Sequence, residues 1–525
     1  MVGQKLCKRY RILTLRRSSL SLTACLVRAK RARMLQQMLS ELTGSERYRG
    51  QMFIGGRWID DDAADMLEVE NPANQRVIGT IPQGTAEHAA EAIEAARRAQ
   101  PAWAALPAYE RAKLLFALAD AVRANDGVLA RIVVAEQGKP LNQAMGEIGA
   151  TETFLRYAAE SARRIEGDII PSDAPDEEVW IRRAPHGVVV GLTAWNFPAA
   201  LAARKLGPAL IAGNTFVLKA HEFTPFSGIA LAILAESVGL PPGVFNVVTG
   251  AGRTVGEALV THPHSDLITM TGSTRAGKEI YRAGADRIKV LRLELGGKAP
   301  FIVMDDADVD AAVESAVAAR FSNCGQICTC NERMYLHERI AEEFLDKFTA
   351  RTRRLSIGDP LTNPHIGPKI SGPERDKVAD IVRDTIAAGA EVLLEGGPMR
   401  EGEYARGYWY APTVLKVRNN SAPAMRQEIF GPVVPVMTVS DFEEALALAN
   451  DSEYGLSAYV YSQSFRRLMR SAAALHFGEI YFNRSSGELV QGFHTGWGQS
   501  GLGGEDGKYG LDGYFRKKTM YVNWS

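Results

Sequence analysis

The sequence predicts an α/β protein with parallel sheets that are covered by helices on both faces. Between residues 188 and 295, short apolar runs such as Val188–Val190 alternate with helical stretches. These runs are rich in β-branched residues and too short for helices, so we interpret them as buried strands. Strands that alternate with helices pair in parallel, and a second alternation begins at Phe301–Val303, which indicates a second sheet.

Polar residues or glycines follow four strands of the first alternation. They are Asn196, Lys219, Gly250 and Ser273. Ligands of parallel sheets bind beyond the carboxyl ends of the strands. Position alone therefore makes these four residues candidates for a binding site.

The regions on either side of this alternation have their own local signals. Residues 53–58 predict a hairpin around two glycines, and Thr85 can cap a helix that we expect to stop at Pro101. Further helical stretches extend to about Arg164. Residues 171–185 are polar and acidic with a strand-like centre, and we interpret them as an excursion toward another subunit.

Composition excludes several classes of protein. The 525-residue chain is long enough for two or three domains, and its net charge of zero argues against a nucleic-acid or membrane-surface binder. No apolar stretch approaches the roughly 20 residues needed to span a bilayer. Five cysteines do not make a disulfide framework in so long a chain, which favours a reducing, cytoplasmic location.

The first 33 residues differ from the rest because they hold ten Lys or Arg and no Asp or Glu. Such a basic, serine-containing segment is typical of an organelle transit signal. Residues 22–25 also match a bacterial lipoprotein cleavage box, although the preceding apolar region is short. The third alternative is an upstream start codon, with translation beginning at Met34, Met38 or Met52.

Cys328 is the candidate nucleophile. It follows a predicted helix, where a thiol can be partly exposed and near free backbone N–H groups, and both conditions favour a thiolate. Cys324, Cys328 and Cys330 with His337 could instead hold a metal ion. Their Cys-x3-Cys-x-Cys spacing lacks the pairs common in structural zinc sites, so we expect no metal and structural roles for Cys324 and Cys330.

Other residues gain a role only beside a reactive cysteine. Glu294 alone is a surface carboxylate or half of an ion pair, but near a thioester it can activate water. Asn196 alone is a turn residue, but its amide N–H can stabilise an oxyanion. The glycines of 250–252 and 272–277 follow strands and open helices, where backbone can approach a phosphate. Their spacing is not Gly-x-Gly-x-x-Gly, so this signal is weak alone.

Six motifs together resemble the aldehyde dehydrogenase superfamily in order and rough spacing, and the resemblance covers Met52 to Ser525. They are Trp195-Asn196-Phe197-Pro198, Lys219-x-x-Glu222, Thr271-Gly272-Ser273, Glu294-Leu295-Gly296-Gly297-Lys298, Gly325-Gln326-x-Cys328 and Glu428-x-Phe430-Gly431-Pro432.

The resemblance implies a Rossmann-type NAD-binding domain, an α/β catalytic domain and a small β oligomerisation element, in a homodimer or homotetramer. The implied limits are a basic extension at 1–51, the NAD-binding domain at 52–168 and 186–297, the catalytic domain at 298–507, and the oligomerisation element at 169–185 and 508–525.

The resemblance also implies residue roles. Cys328 is similar to the nucleophile, Glu294 to the general base, and Asn196 to the oxyanion-hole amide, joined by the Cys328 backbone N–H. A carboxylate at Glu222 would repel a ribose phosphate, so NAD is expected over NADP. Ala220-His221 replaces the usual Pro-Ser, which leaves the shape of the adenosine pocket open. The implied cofactor contacts are Trp195, Lys219, Glu222, Gly250, Gly272, Ser273, Glu428 and Phe430.

Within the family, residues 325–333, 491–497 and 500–508 resemble bacterial lactaldehyde and glycolaldehyde dehydrogenases. The implied substrate is a small 2-hydroxyaldehyde, with His494 and Arg163 or Arg164 as candidates to meet its hydroxyl or, equally, to serve the structure. Succinate semialdehyde as substrate, coenzyme A in place of water, and a non-catalytic protein on this fold are the alternatives.

Overall fold

The N-terminal extension is partly folded onto the rest of the chain. The computed structural model describes residues 30–60 and 65–525, so the transit, lipoprotein and start-codon predictions fall largely on residues outside it. Residues 30–43 form helix α1, whose Leu35, Met38 and Leu42 are fully buried in the main core. The segment treated as an extension thus contributes to the core from Leu35 onward.

Small strands and long helices make up the chain as far as residue 185. The elements are β1 (Tyr48–Arg49), β2 (Met52–Ile54), β3 (Arg57–Ile59), β4 (Met66–Asn71), β5 (Arg76–Pro82), α2 (Ala86–Ala105), α3 (Ala108–Ala124), α4 (Asp126–Gln137), α5 (Leu141–Glu160), β6 (Asp168–Pro171) and β7 (Glu177–Pro185). Within the described residues, no helix here or later has the length and apolarity to cross a bilayer.

Helix α2 corrects one expectation, because it runs through Pro101 to Ala105. The predicted cap is present, since the Thr85 side chain accepts a hydrogen bond from the backbone N–H of His88. Proline removes one helical donor but does not end the helix here. The last turn is held from outside, because Trp103 is buried and its indole N–H donates to the carbonyl of Leu210 at 3.0 Å.

The predicted alternation forms an eight-stranded sheet in which five consecutive strands are parallel. Its elements are β8 (Val188–Leu192), α6 (Pro198–Ile211), β9 (Thr215–Lys219), α7 (Phe226–Ser237), β10 (Phe245–Val248), α8 (Glu257–Thr261), β11 (Leu267–Thr271), α9 (Thr274–Gly284) and β12 (Val290–Glu294). In space the strands of this group run β12-β11-β8-β9-β10, and the hairpin of β2 and β3 completes that edge. The predicted α/β class is confirmed.

The second alternation contains a seven-stranded sheet and a few short strands outside it. Its elements are β13 (Ala299–Val303), α10 (Val309–Phe321), β14 (Asn331–His337), α11 (Glu338–Thr352), α12 (Gly372–Ala387), β15 (Glu391–Leu394), β16 (Gly397–Pro398), β17 (Tyr410–Ala411), β18 (Thr413–Lys416), α13 (Pro423–Arg426), β19 (Val433–Val439), α14 (Phe442–Asn450), β20 (Tyr454–Gly455), β21 (Ser457–Tyr461), α15 (Phe465–Ala474) and β22 (Glu479–Phe482). The sheet order is β15-β18-β19-β14-β13-β21-β22.

The end of the chain returns to earlier parts of the fold. The last elements are β23 (Trp497–Gly498), β24 (Gly501–Leu502), α16 (Gly507–Asp512) and β25 (Phe515–Asn523). Strand β24 pairs with β12, so a segment from beyond residue 298 joins the first sheet. Strand β25, which has no partner near it in sequence, pairs with β7 over nine residues and forms a three-stranded sheet with β6.

Candidate active site

A cleft of about 110 Å³ lies between the two large sheets. Seven of the residues nominated from the sequence line it: Trp195, Asn196, Gly272, Ser273, Cys328, Glu428 and Phe430. The other lining residues are Ala194, Thr271, Leu295, Gly296, Glu374 and Lys377. Strand ends of the first sheet and loops of the second thus meet in one place.

Cys328 sits in a turn just before β14, after a segment of unusual backbone. Asn323, Cys324 and Gly325 all have positive φ, at 49°, 56° and 71°. Non-glycine residues rarely adopt this conformation, and such strain clusters at functional sites. Gly325 has no alternative, because a Cβ there would lie 2.3 Å from the carbonyl oxygen of Gly431. The chain is therefore bent sharply to place Cys328 in the cleft.

The expectation for the thiol is met only in part. Cys328 is half-buried, as predicted. However, burial raises the pKa of its thiol above the ordinary value. A hydrogen bond with His494 lowers the pKa, but by less than burial raises it. The surroundings in the absence of ligand therefore do not favour the thiolate. Cys324 and Cys330 are fully buried, and burial raises their pKa values to about 12 and about 11, which suits structural roles.

Asn196 is buried four residues beyond the carboxyl end of β8, in the turn that leads to α6. Its side-chain Nδ2 donates to the carbonyl of Gln326 at 3.0 Å, two residues before Cys328. This contact fixes the amide with its second N–H free for another acceptor. Asn196 is therefore oriented toward the nucleophile loop, as an oxyanion donor requires.

Glu294 ends strand β12 and is buried, and neither carboxylate oxygen has a hydrogen-bond partner among the described residues. Burial raises the pKa of Glu294 to about 7, although the charge of His494 lowers it. Its Oε2 lies 3.5 Å from Nε2 of His494. A buried carboxylate with free lone pairs and a pKa near neutrality can take a proton from water.

The Phe430 loop forms the opposite wall of the cleft. The Phe430 ring lies edge-on to Trp195 at 5.4 Å, and its φ of 53° is strained for a bulky residue. Glu332 holds this conformation, because its carboxylate accepts hydrogen bonds from the backbone N–H groups of Ile429 at 2.7 Å and Phe430 at 2.8 Å. The Glu428 carboxylate accepts a hydrogen bond from the Gly297 N–H at 2.8 Å.

The cleft fits the phosphates and ribose of a nicotinamide dinucleotide. Ser273 caps α9, whose N-terminus favours an anion, and the buried Thr271 hydroxyl lacks a partner among the described residues. At the end of β9, Lys219 and Glu222 are paired at 2.7 Å. Burial would raise the pKa of Glu222, but His221 and Lys219 outweigh it and hold it at about 2. A carboxylate of this kind accepts ribose hydroxyls.

Gly250 is, like Lys219 and Glu222, one of three nominated cofactor residues that do not line the cleft. It follows β10 with φ 122° and is not among the residues that line the cleft. A Cβ at this position would lie 2.6 Å from the backbone nitrogen of Gly84. The close approach to Gly84 is therefore sufficient reason for glycine here.

Arg163 and Arg164 do not reach the cleft within this chain. They are exposed in a short 3-10 turn after α5. The guanidinium of Arg163 covers the ring of Tyr109 at 4.7 Å, and Arg164 donates to the carbonyl of Glu160. In one subunit the structure therefore assigns both arginines to the surface, which corrects their placement beside the substrate.

Arg204 and Glu488 lie near Cys328, where Arg163 or Arg164 had been expected. Arg204 NH1 lies 3.9 Å from Glu488, whose carboxylate accepts the hydroxyl of Thr329 at 3.3 Å. His494 Nδ1 lies 3.9 Å from the same carboxylate. Burial and Arg204 would lower the pKa of His494, but contacts with Cys328 and nearby carboxylates raise it well above its ordinary value. A charged, hydrogen-bonding cluster thus borders Cys328.

Lys205 and Glu505 form a second group that the sequence did not reveal. The two residues make a fully buried ion pair, and Lys205 also contacts the Thr269 hydroxyl at 3.3 Å. Their charges act on Glu294. A signal was present, because Arg204-Lys205 places two adjacent cations in the otherwise apolar helix α6. Buried charges in an apolar helix need partners and often mark function.

Two proteins of known activity are similar in sequence to this chain over most of its length. The chain is 44% identical over 477 residues to a 3,6-anhydro-alpha-L-galactose dehydrogenase of Vibrio sp. (strain EJY3), covering 91% of this chain and 99% of that protein. It is 42% identical over 473 residues to a lactaldehyde dehydrogenase of Escherichia coli (strain K12), covering 90% of this chain and 98% of that protein.

A solved structure is similar over the same span. It is a 3,6-anhydro-L-galactose dehydrogenase in complex with NAP, at 45% identity and a TM-score of 0.89, covering 91% of this chain and all of that one. The model of the aldehyde dehydrogenase family matches residues 58–520. The family and fold predicted from the motifs are confirmed. The chain belongs to the aldehyde dehydrogenase family, and it is an oxidoreductase with a nicotinamide cofactor.

Proposed function

We propose that this enzyme oxidises a small 2-hydroxyaldehyde, such as lactaldehyde or glycolaldehyde, to the hydroxy acid with NAD. The observation that carries the proposal is the cluster of Arg204, Glu488 and His494 beside Cys328. A site built to hydrogen-bond a substrate hydroxyl discriminates strongly against aldehydes that lack one. The cluster offers both donors and acceptors at this point.

The charges favour a neutral substrate over a dicarboxylic semialdehyde. Arg204 is already engaged by Asp506 at 3.0 Å and lies 3.4 Å from Glu505. The carboxylate of such a semialdehyde would have to compete with these anions for the guanidinium. The nearby carboxylates also outnumber the cations: Glu294, Glu479, Glu488, Glu505 and Asp506 against Arg204, Lys205 and His494.

The first chemical stage is acylation of Cys328. The Cys328 thiol releases its proton to water, the charged His494 stabilises the thiolate, and the sulfur adds to the aldehyde carbon to give a thiohemiacetal. The free N–H of Asn196 and the backbone N–H of Cys328 stabilise the oxyanion. A nicotinamide held beside Glu428 and Phe430 would supply the hydride acceptor, and loss of hydride from the substrate carbon would leave a thioester on Cys328.

The second stage is hydrolysis. Glu294 takes a proton from water, the resulting hydroxide adds to the thioester, and the acid leaves as the Cys328 thiol is restored. The carboxylate is suited to this because its oxygens have no competing partner among the described residues. The buried Lys205–Glu505 pair acts on the pKa of Glu294 through its charges, since Glu505 raises it and Lys205 lowers it.

NAD is proposed over NADP because of Glu222. The residue is ionised and half-exposed beside Lys219 at the strand end. A 2′-phosphate there would face a like charge, whereas free ribose hydroxyls would donate to the carboxylate. Lys219, Glu222, Ser273, Glu428 and Phe430 are the residues that would hold the dinucleotide.

A panel of aldehydes, followed by NADH absorbance with the purified enzyme, tests the proposal. It contains lactaldehyde, glycolaldehyde, propionaldehyde and succinate semialdehyde, each with NAD and with NADP, and with and without coenzyme A. We expect lactaldehyde to exceed propionaldehyde in kcat/KM by at least a hundredfold. Preference for succinate semialdehyde would overturn the proposed substrate. A requirement for coenzyme A would overturn the proposed hydrolytic step.

We also propose that the protein assembles as a homodimer or homotetramer and works in the cytoplasm. The three-stranded sheet of β6, β7 and β25 carries exposed apolar side chains, including Ile169, Ile170 and Tyr521. Exposed apolar groups on a sheet with free edges are suited to pairing with another copy. Sedimentation equilibrium of the purified chain would give the number of subunits.

A further inference from the structure

We propose that the buried ion pair of Lys139 and Glu147 positions Asn196 for oxyanion stabilisation. This inference rests on the proposed role of Asn196 and adds two positioning residues to it. Neither Lys139 nor Glu147 lines the cleft, so each would act through the backbone that carries Asn196. The two residues come from the loop between α4 and α5 and from α5 itself.

Lys139 contacts the backbone of Asn196 directly. Its Nζ donates to the Asn196 carbonyl at 2.7 Å and to the Glu147 carboxylate at 2.6 Å. It also covers the ring of Phe197 at 3.6 Å from the centroid. All three interactions are dry, because the side chains of Lys139 and Glu147 are fully buried. The Lys139 ammonium is thus bound to the backbone carbonyl of Asn196, whose position helps to set that of the Asn196 side chain.

Glu147 continues the same contact into the next helix. One carboxylate oxygen binds Lys139, and the other accepts the backbone N–H groups of Ala199 at 2.9 Å and Ala200 at 3.3 Å. These are donors of the first turn of α6, which have no partner within the helix. Lys139 therefore holds the carbonyl of Asn196 by a hydrogen bond, and Glu147 holds the first turn of the helix that follows.

The loop that carries Cys328 also forms a hydrogen bond with the Asn196 carbonyl. Asn323 donates from Nδ2 to the Asn196 carbonyl at 3.1 Å, and its Oδ1 accepts a hydrogen bond from Gln137 at 3.0 Å. The Asn196 carbonyl thus receives two donors, one from the Lys139–Glu147 pair and one from the loop that carries Cys328. The distance between the oxyanion amide and the thiol is set through this shared carbonyl.

Such a clamp matters because oxyanion stabilisation depends on donor geometry. A donor is effective only at about 2.7–3.1 Å from the developing oxyanion, and a displacement of about 1 Å can cost a hundredfold in rate. A purely structural ion pair would instead stabilise the whole domain and leave the chemistry of folded molecules unchanged. The two readings predict different kinetics.

The test compares two reactions of Cys328 that need no cofactor. Hydrolysis of p-nitrophenyl acetate requires addition to a carbonyl and forms an oxyanion, whereas alkylation by iodoacetamide displaces iodide and forms none. Lys139→Met with Glu147→Gln removes both charges together and leaves no lone buried ion. Asn196→Ala is measured alone and combined with that pair of substitutions, all in the full chain.

We expect the pair of substitutions to slow acylation by the ester by roughly tenfold to a hundredfold. Alkylation and NAD affinity should stay within about twofold of the unsubstituted enzyme, since neither uses the oxyanion donor. In the Asn196→Ala background, the same pair should slow the ester reaction by less than about threefold, because residues acting through one group are not additive. Equal slowing in both backgrounds, or equal loss of alkylation, would overturn the clamp.

Two further variants keep the result decisive. Glu136→Gln removes another buried carboxylate from the same region, one that binds Phe226 and Ser227 at α7, and it should leave acylation by the ester unchanged. If the paired substitution does not fold, Glu147→Asp carries the same comparison, because it keeps both charges and draws the carboxylate away from Lys139 and α6. A normal ester reaction in Asn196→Ala would refute the role proposed for Asn196 itself, whereas a slow reaction there with normal paired variants would refute only the clamp.

Discussion

Deacylation should titrate with Glu294. Burial raises the pKa of this carboxyl to about 7, and only the ionised form can accept a proton from water. Its ionised fraction is about one half at pH 7 and about one tenth at pH 6, so the deacylation rate should fall about fivefold over that unit. Glu294→Gln should lower it by roughly 10²- to 10⁴-fold, the usual worth of a general base, and abolish this pH dependence.

The assay must exclude other groups that titrate in the same range. Burial also raises the pKa of Glu428 to about 7, and that residue lies on the cofactor side of the cleft. Cys328 is therefore acylated with p-nitrophenyl acetate in the absence of cofactor, and loss of the acyl group is followed by rapid quench and mass measurement from pH 5.5 to 8.5. Glu428→Gln serves as the control and should retain the rise of the rate with pH.

Two results would refute the reasoning. One is a deacylation rate that does not change between pH 5.5 and 7.5 in the unsubstituted enzyme. The other is a Glu294→Gln variant that neither accumulates the acyl form nor loses its steady-state rate. Either would mean that the buried carboxylate does not activate the water.

Three further predictions concern the nucleophile, the cofactor and the core. Cys328→Ala should form no NADH from any aldehyde but bind NAD with unchanged affinity, and turnover by this variant would contradict the assignment. Glu222→Gln should raise kcat/KM for NADP relative to NAD by at least about tenfold, or ~1.4 kcal/mol, because a like charge near the 2′-phosphate is removed; an unchanged ratio would place discrimination elsewhere. Leu35→Ala should lower the free energy of unfolding in urea by roughly 2–5 kcal/mol, since its side chain is fully buried, whereas the exposed Gln36→Ala should change it little.

The sequence was sufficient for the features that depend on local pattern. Each strand from β8 to β11 was predicted because a short β-branched run is bounded by turn residues. Cys328, Asn196 and Glu294 were nominated because they end or follow such elements, and topology then brings those ends together. The residues that local pattern predicted are those whose position depends mainly on their own strand.

Features that depend on distant partners could not be predicted in this way. Arg204 and Glu488 are 284 positions apart, and no periodicity links them. The surface placement of Arg163 follows from its contact with Tyr109, which the sequence does not indicate. The continuation of α2 past Pro101 likewise depends on Trp103 reaching the carbonyl of Leu210.

The pairing of β24 with β12 has a consequence for synthesis of the chain. Glu294 pairs with Gly501, and the N–H of Leu295 donates to the carbonyl of Ser500 at 2.9 Å. Domains fold as they leave the ribosome, beginning from the N-terminus. The strand that carries Glu294 lacks its outer neighbour until more than two hundred further residues have been made. A nascent chain therefore contains β8 to β12 long before its catalytic centre is complete. Cys328 is likewise made before the segment with β24 that pairs with the strand of Glu294.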